Sequence, residues 1–354
     1  MKIVLCFSVG HSTVSEYYLT VANELVMKGH KVYVLTDKQE AHPFFVDKRI
    51  VIRKWPSTRP TRFKDFLFAW RFFLAVRPQV VVSMFSSVNV SLLASLFAGV
   101  KRRIVWIHTI STAFQNDKLL LKRRAKLLKL ATDIVANSEA NREDLEVHFR
   151  VRPEKITVLQ NALSDPKTQS ASRPNVIFYA GRLLPEKGVD LLLSAMPEVI
   201  RQIPEARLEI AGGRLGFGKI KHYSEQCAQL GISDHVTFLG SLRRDLLLER
   251  FAAAYVTVFP SAAEGFGLVA IESFAAATPV IGADNTSIPE IIRDGKDGLL
   301  FETGNRDDLA QKIISLLKNP SLRQQMSVTC RQRFLDTFNT DSVAKKVASF
   351  LTEK

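Results

Sequence analysis

The chain has 354 residues, 46% of them hydrophobic, which is enough for two domains of ordinary size, each with its own core. The cysteines Cys6, Cys227 and Cys330 have neither metal-ligand nor redox spacing and fit a reducing cytosol. The formal net charge of +14 is uneven, because residues 1–165 hold 26 Lys and Arg against 14 Asp and Glu, whereas residues 166–354 hold 23 against 21. The basic excess therefore lies almost wholly in the first half.

The chain opens with a β-α-β pattern. We predict a strand over Lys2–Val9, a helix over Val14–Lys28 that stops at Gly29, and a strand over Lys31–Thr36. The short apolar start lacks the cleavage site of a secretory signal, so we expect a cytoplasmic protein.

A charge-free run from Pro78 to Val100 reaches the length of a membrane span. Its serines divide it into a strand over Val80–Met84 and a helix over Val88–Ala98. Because buried α/β elements also form continuous apolar runs, we predict a buried strand and helix rather than a membrane span.

Two basic segments, 48–77 and 101–129, each hold nine basic residues against one acidic residue. From about Phe63 the first is predicted to be a helix that is apolar nearly all the way round. Such a helix either packs on the core with a solvated basic edge or lies at a membrane surface. In the second, a helix over Asn116–Ala131 carries four lysines on one face, which is either solvated or meets an anionic surface. These are Lys118, Lys122, Lys126 and Lys129, with Leu120, Leu127 and Ala131 on another face.

Three more strands complete the first half, at Ile104–Ile107, Ile134–Asn137 and Lys155–Leu159. His108 stands at the end of the first of them, and Ser138 is expected to cap the helix after the second. Residues 164–174 have the composition of a linker. Beyond it, strands and helices alternate, which predicts a parallel sheet with helices on both faces.

One stretch of the second half has the order strand, glycine loop, helix. A strand over Ala254–Phe259 precedes Gly265 and Gly267, and a helix follows from Leu268 to Ala277. Glu264 lies just before this helix and Glu272 about one turn inside it. The helix N-terminus suits a phosphate, and the two carboxylates suit hydroxyls of a sugar and a ribose. The alternative is a glycine turn, with one acid complementing the helix dipole and one on the surface.

A second stretch places cations at the end of another buried strand, Val176–Gly181. Arg182 and Lys187 follow it, where ligands bind in such sheets. An Arg fork and a Lys point charge suit a diphosphate. The alternative is two solvated basic residues on a loop.

Together these motifs resemble the retaining glycosyltransferases of family 4 with the GT-B fold. The family's pair of glutamates stands at Glu264 and Glu272, and its second element stands at Gly181-Arg182 and Glu186-Lys187-Gly188. The resemblance continues through Leu208–Gly213, Val236–Gly240, Ile288–Gly295 and Gly298–Phe301.

The resemblance implies an α/β architecture of two Rossmann-like, doubly wound parallel-sheet domains facing across a cleft. Residues 1–165 would bind the acceptor, and residues 166–341 the nucleotide sugar. The last helix, 342–354, would cross back to the first domain through Val343, Val347, Phe350 and Leu351.

The resemblance also implies roles for single residues. Arg182 and Lys187 would hold the leaving diphosphate, Glu264 the sugar and Glu272 the ribose. His108 would contact the transferred sugar; the alternative is a structural histidine whose hydrogen bonds are satisfied within the fold. Further donor contacts are expected at Gly181, Gly265, Phe266, Gly267 and Leu268, and the first loop near the acceptor holds Gly10, Ser12 and Thr13. The expected donor is a UDP-, GDP- or ADP-sugar. No clustered Asp pair points to a metal, and no cofactor is expected.

Several positions depart from the family's glycines. Ser12 and Thr13 replace a glycine pair, and so do Thr286 and Ser287; single glycines are replaced by Ala162 and Ala277. Each replacement is tolerated if the backbone stays at negative φ. These losses motivate an alternative function, a non-catalytic module of the same fold that binds a nucleotide sugar or a polyanion.

The leading hypothesis is a retaining, metal-independent hexosyltransferase of glycan biosynthesis in the cell envelope. The basic first half suggests a lipid-linked or anionic glycan acceptor, with the enzyme peripheral on the inner face of the plasma membrane. Nucleic-acid binding is not expected, because no recognition helix or stacking motif stands out.

Overall fold

The chain forms two compact units in a computed structural model that describes residues 1–38, 44–114, 117–168, 172–213 and 217–353. The first unit comprises Met1–Ser164 together with Asn339–Lys354, and the second comprises Asp165–Phe338.

The first unit is built on a seven-stranded parallel sheet with the order β3-β2-β1-β4-β5-β6-β7. Its strands are β1 (Lys2–Cys6), β2 (Lys31–Thr36), β3 (Val51–Lys54), β4 (Val80–Met84), β5 (Arg102–Ile107), β6 (Asp133–Ala136) and β7 (Ile156–Val158). Its helices are α1 (Thr13–Met27), α2 (Phe63–Val76), α3 (Val88–Phe97), α4 (Lys118–Leu128), α5 (Glu139–Phe149) and, at the end of the chain, α13 (Thr340–Thr352).

Helices cover both faces of this sheet because successive strand residues point to opposite sides. In β1, Ile3 and Leu5 join a core with α1 and α13, whereas Val4 and Cys6 join a second core with α2 and α3. Cys6 is thus a buried core residue, and all three cysteines are free thiols.

The last helix belongs to the first unit, as the family resemblance implies, and it packs against α1. Val347 and Leu351 are buried in the core that α1 shares with the sheet. Arg102 also holds the end of this helix, because its guanidinium donates to the carbonyls of Phe350 and Glu353, each at 2.8 Å. The helix is therefore an integral part of the first unit.

The second unit is built on a six-stranded parallel sheet with the order β10-β9-β8-β11-β12-β13. Its strands are β8 (Val176–Ala180), β9 (Arg207–Ala211), β10 (Val236–Gly240), β11 (Val256–Phe259), β12 (Val280–Ala283) and β13 (Gly298–Phe301). Its helices are α6 (Val189–Gln202), α7 (Phe217–Gln229), α8 (Arg244–Ala253), α9 (Leu268–Ala275), α10 (Ile288–Ile291), α11 (Arg306–Leu317) and α12 (Pro320–Arg333).

The differences from the predicted elements are local. Strand β3 was not predicted; it is a short edge strand whose last two residues, Arg53 and Lys54, are exposed cations, a common protection of sheet edges. Strand β1 ends at Cys6 rather than Val9, and α4 spans Lys118–Leu128 rather than Asn116–Ala131. The predicted start at Asn116 lies outside the described residues.

The charge-free run is a strand and a helix, β4 and α3, as predicted. Within the described ranges, no helix has both the length and the apolar character needed to cross a membrane.

The replaced glycines fall into two groups. Ser12 has φ −85° and caps α1, so a side chain fits there without strain. Ala277 and Thr286, however, have φ values of 56° and 44°, in the left-handed region that favours glycine. The condition for tolerating a side chain without strain, a backbone at negative φ, is therefore not met at these two positions.

The Ala277→Gly substitution should stabilise the second unit by about 0.5–1 kcal/mol, because glycine adopts this conformation without the clash that Cβ suffers. The change is read as a higher midpoint in thermal unfolding. The control, Ala228→Gly on the exposed side of α7, should lower the stability by about as much. A lower midpoint for Ala277→Gly would contradict the prediction.

Candidate active site

The candidate site lies where the strand order of the second sheet reverses. Strands β8 and β11 are neighbours there, although β9 and β10 lie between them in sequence. The loops that follow them, 181–188 and 260–267, start at the same edge of the sheet. In doubly wound sheets this reversal point is where ligands bind.

The two loops touch through their backbones. Gly188 has φ 71°, and a Cβ built on it would lie 2.1 Å from the carbonyl oxygen of Pro260. The N–H of Ala262 donates to the carbonyl of Glu186 at 2.9 Å. Only glycine allows this approach, so Gly188 holds the two loops together.

Lys187 and Glu264 meet across this contact. The ammonium of Lys187 donates to Oε1 of Glu264 in an ion pair, and the two side chains are only 14% and 17% exposed. The hydroxyl of Ser261, which is fully buried, donates to the same oxygen at 2.8 Å. A charge pair with so little solvent is screened weakly, so its partners are strongly coupled.

The N-terminus of α9 lies directly after Glu264. Gly267 is its N-cap residue with φ 110°, and no side chain from the described residues caps it. Phe266 is buried and packs edge-on against Phe338, with ring centroids 6.2 Å apart. The first N–H groups of α9 therefore follow the ion-paired Glu264 closely in the chain, after Gly265, Phe266 and Gly267. Such unpaired N–H groups at a helix N-terminus suit an anion.

A cavity of about 600 Å³ opens beside the loop after β8. Arg182 is exposed at its edge, and Gly181 forms part of its wall. The volume is typical of small-molecule pockets. The other lining residues are Ala180, Leu183, Leu184, Ala211, Gly212, Gly213, Ser241, Leu242 and Leu247.

Glu272 lies in the second turn of α9, as expected from its spacing, and is 9% exposed. Its role toward a ribose stays a prediction. Among the described residues, no group of three or more His, Cys, Asp or Glu side chains is arranged to hold a metal ion.

Sequence reasoning missed the residues that support Glu264. Thr286 and Ser287, considered only as lost glycines, bond to its backbone: Thr286 Oγ1 accepts from its N–H at 3.1 Å, and Ser287 Oγ donates to its carbonyl at 3.0 Å. The sequence feature that could have revealed them is their position directly after β12, because β12 lies next to β11 in the sheet.

In the first unit, His108 follows β5 and its ring is enclosed by aromatic groups. The hydroxyl of Tyr18 lies 2.7 Å from Nε2, and the ring of Phe85 stacks on the imidazole with centroids 4.7 Å apart. Burial lowers the pKa of His108 to about 3. The imidazole is therefore neutral near pH 7, able to exchange hydrogen bonds but carrying no charge.

The predicted first loop lies at the end of β1 in the same unit. Ser12 accepts from the N–H of Ser15 at 3.1 Å as the cap of α1, and the N–H of Gly10 donates to Ser15 Oγ at 3.0 Å. Thr13 is the first residue of α1 and is buried. Local hydrogen bonds thus account for this loop, and its role toward an acceptor stays a prediction.

Two family models match this chain almost end to end. Residues 14–165 match Glycosyltransferase Family 4, and residues 161–333 match Glycosyl transferases group 1. The chain therefore belongs to the family 4, group 1 glycosyltransferases, which confirms the family read from its motifs.

Among curated relatives, D-inositol 3-phosphate glycosyltransferase of Streptomyces bingchenggensis is 30% identical over 247 residues, covering 64% of this chain and 54% of that protein. GDP-mannose-dependent alpha-(1-6)-phosphatidylinositol monomannoside mannosyltransferase of Mycobacterium tuberculosis is 32% identical over 186 residues, covering 51% and 47%. The chain thus spans about half the length of the curated relatives it matches.

Solved structures share the fold at low identity. HepE of Anabaena, crystallised with UDP, has a TM-score of 0.81 at 17% identity, covering 99% of this chain and all of that one. Sucrose-phosphate synthase from Thermosynechococcus elongatus has a TM-score of 0.81 at 20% identity, covering 99% and 98%. The predicted GT-B fold is thereby confirmed.

The lowered pKa of His108 predicts a loss of stability in mild acid. The folded state resists protonating this imidazole whereas the unfolded chain takes up the proton near pH 6.5, so stability falls as the pH drops from about 6.5 toward 3. Between pH 7 and pH 5 the wild type should lose about 2 kcal/mol more than His108→Gln.

Urea unfolding followed by tryptophan fluorescence measures this loss, because Trp55, Trp70 and Trp106 all lie in the first unit. The control is His148→Gln, at an exposed histidine of α5. It should behave like the wild type. Equal pH dependence in the wild type and His108→Gln would contradict the assignment.

Proposed function

We propose that this protein transfers a sugar, with retention of anomeric configuration, from a nucleoside-diphosphate sugar to a glycan or lipid-linked acceptor. The observation that carries the proposal is the Lys187–Glu264 pair, seated beside a helix N-terminus at the reversal point of the second sheet. On this proposal the ammonium of Lys187 binds a phosphate and the carboxylate of Glu264 accepts from sugar hydroxyls.

The second unit is proposed to hold the donor, a UDP-, GDP- or ADP-sugar. The cavity beside Gly181 has room for a nucleoside, and Arg182 at its edge is free of ion pairs with the residues described. An arriving diphosphate competes with Glu264 for Lys187. The carboxylate that it displaces then becomes an acceptor for hydroxyls of the sugar.

In the proposed reaction, the bond between the anomeric carbon and the diphosphate oxygen breaks while the acceptor oxygen bonds to that carbon from the same face. The acceptor proton passes to the departing diphosphate. Negative charge grows on the diphosphate during this step, and we assign its stabilisation to Arg182, Lys187 and the N–H groups at Gly267 and Leu268. We assign this charge stabilisation to the protein cations, without a metal ion.

The first unit is proposed to take the acceptor. In it, the neutral His108 is a hydrogen-bonding group for a sugar hydroxyl. The inositol phosphate and phosphatidylinositol glycan in the names of two relatives support an anionic or lipid-linked acceptor.

The surface of the first unit favours an acceptor at an anionic membrane. On α4, Leu119 and Leu120 are 59% and 43% exposed, beside exposed lysines. On α2, Phe63 is 72% exposed. Exposed apolar side chains among cations are typical of helices that lie at a membrane interface, so we propose peripheral binding at the cytoplasmic face.

Removing the Lys187 ammonium should lower turnover, because the leaving diphosphate loses a preorganised charge. We expect Lys187→Ala to reduce nucleoside-diphosphate release from the preferred UDP-, GDP- or ADP-sugar by roughly 10²- to 10³-fold, and Glu264→Gln to act similarly. Lys221→Ala is the control, at a lysine of α7 that is 79% exposed.

Measuring the binding and turnover of a panel of UDP-, GDP- and ADP-sugars also tests the alternative function. If the protein binds a donor but shows no Lys187-dependent turnover, the result would instead support a non-catalytic module that binds nucleotide sugars. Wild-type protein that binds no donor at all would contradict the proposal and that alternative together.

Replacing Lys118, Lys122, Lys126 and Lys129 with Gln should weaken binding to vesicles that contain anionic lipid by roughly 10²- to 10³-fold, at about 1 kcal/mol per lysine. Sedimentation with vesicles at low and high salt measures it, since salt screens surface charges. The matched control replaces four lysines of the second unit, Lys221, Lys296, Lys312 and Lys318. Equal binding to neutral vesicles, or equal loss in the control, would refute the membrane proposal.

A further inference from the structure

The segment Asn285–Ser287, between β12 and α10, binds the Glu264 loop through its side chains. Thr286 and Ser287 engage both backbone groups of Glu264, its N–H at 3.1 Å and its carbonyl at 3.0 Å. Ser287 Oγ also lies 2.7 Å from the carbonyl of Phe266, and Asn285 Nδ2 donates to the carbonyl of Ser261 at 3.0 Å. The loop is thus held on both sides of Glu264.

The segment Asn285–Ser287 also supports the carboxylate of Glu264, through Ser261. Ser261, whose backbone Asn285 holds, donates its hydroxyl to Glu264 Oε1 at 2.8 Å. Thr286 Oγ1 in turn donates to Asn285 Oδ1 at 2.9 Å while it accepts from the N–H of Glu264. The side chains therefore form one connected network, in which backbone and carboxylate are positioned by the same segment.

The backbone of Thr286 is in an unfavourable conformation for its residue type. Its φ of 44° lies in the left-handed region, which a β-branched residue adopts only under strain. Glycine would adopt it freely, yet would lack the hydroxyl that bonds to Glu264. Strain at one residue, held in place by hydrogen bonds to a candidate active-site loop, is typical of functional sites.

We propose that Thr286 and Ser287 are positioning residues for Glu264, which set its carboxylate where the transferred sugar binds. This inference rests on the proposed function of Glu264. The hydroxyl of Thr286 fixes the N–H side of the residue, and that of Ser287 fixes the carbonyl side. Loss of either hydroxyl leaves Glu264 present but displaced, and misplacement by about 1 Å costs up to roughly 100-fold in rate.

The experiment compares variants of Thr286 and Ser287, and one control variant, with the wild type, using the UDP-, GDP- or ADP-sugar that the wild type turns over. Thr286→Val keeps the β-branched shape and removes the hydroxyl, so kcat should fall by roughly 10- to 100-fold while the Kd of the nucleoside diphosphate stays unchanged. Ser287→Ala should act in the same direction. Thr286→Ser restores the hydroxyl and should restore kcat. The matched control, Thr329→Val, alters a hydroxyl whose bonds to described residues go to carbonyls of α12 and of Lys296.

Thr286→Gly separates positioning from structural support. Both variants lose the hydroxyl, but only glycine relieves the strain, so the thermal midpoint of Thr286→Gly should lie above that of Thr286→Val while kcat falls equally in both. A purely structural role predicts that kcat follows stability instead. Amide hydrogen exchange in residues 260–267 should quicken in Thr286→Val, because the bond to the N–H of Glu264 is lost.

Two outcomes would overturn the inference in different ways. If Glu264→Gln abolishes turnover while Thr286→Val and Thr286→Gly keep the wild-type kcat, the positioning role is wrong and the proposed function stands. If the wild type neither binds nor turns over any donor of the panel, the proposed function fails and this inference fails with it.

Discussion

The close approach of Gly188 to the Pro260 carbonyl is the constraint on which the candidate site depends. Any side chain at Gly188 would place Cβ 2.1 Å from that oxygen and push the two loops apart. With the loops in contact, Lys187 and Glu264 pair in a region of little solvent, where charges interact strongly. The site therefore brings a cation and a carboxylate together, each neutralised by the other.

Two residues in the same unfavourable backbone conformation illustrate how strain relates to function. Ala277 has φ 56°, and its methyl group offers no hydrogen bond in return, so we expect glycine there to be an improvement. Thr286 has φ 44°, but its hydroxyl joins Glu264 to Asn285. The strained residue at this position makes a hydrogen bond to Glu264 that glycine could not make. On our proposal, this hydrogen bond serves activity.

The first unit holds a neutral histidine, His108, and a separate set of surface lysines on α4. His108 is enclosed by Tyr18 and Phe85, and burial keeps it neutral. The cations of α4 remain on the surface, next to exposed leucines. Because surface charges act over the Debye length and a neutral imidazole acts only by contact, the two features suit different tasks, attraction of an anionic surface and recognition of a hydroxyl.

The sequence alone determined the alternation of strands and helices, the family and which charged residues stand on the two main loops. Strands buried on both faces form continuous apolar runs, so β2, β4 and β8 could be read locally, whereas the half-exposed edge strand β3 could not. Only the tertiary structure decided that Lys187 meets Glu264, 77 residues away, and that Thr286 supports it. Such contacts follow from the order of strands in the sheet, which depends on packing of the whole unit and leaves no local pattern in the chain.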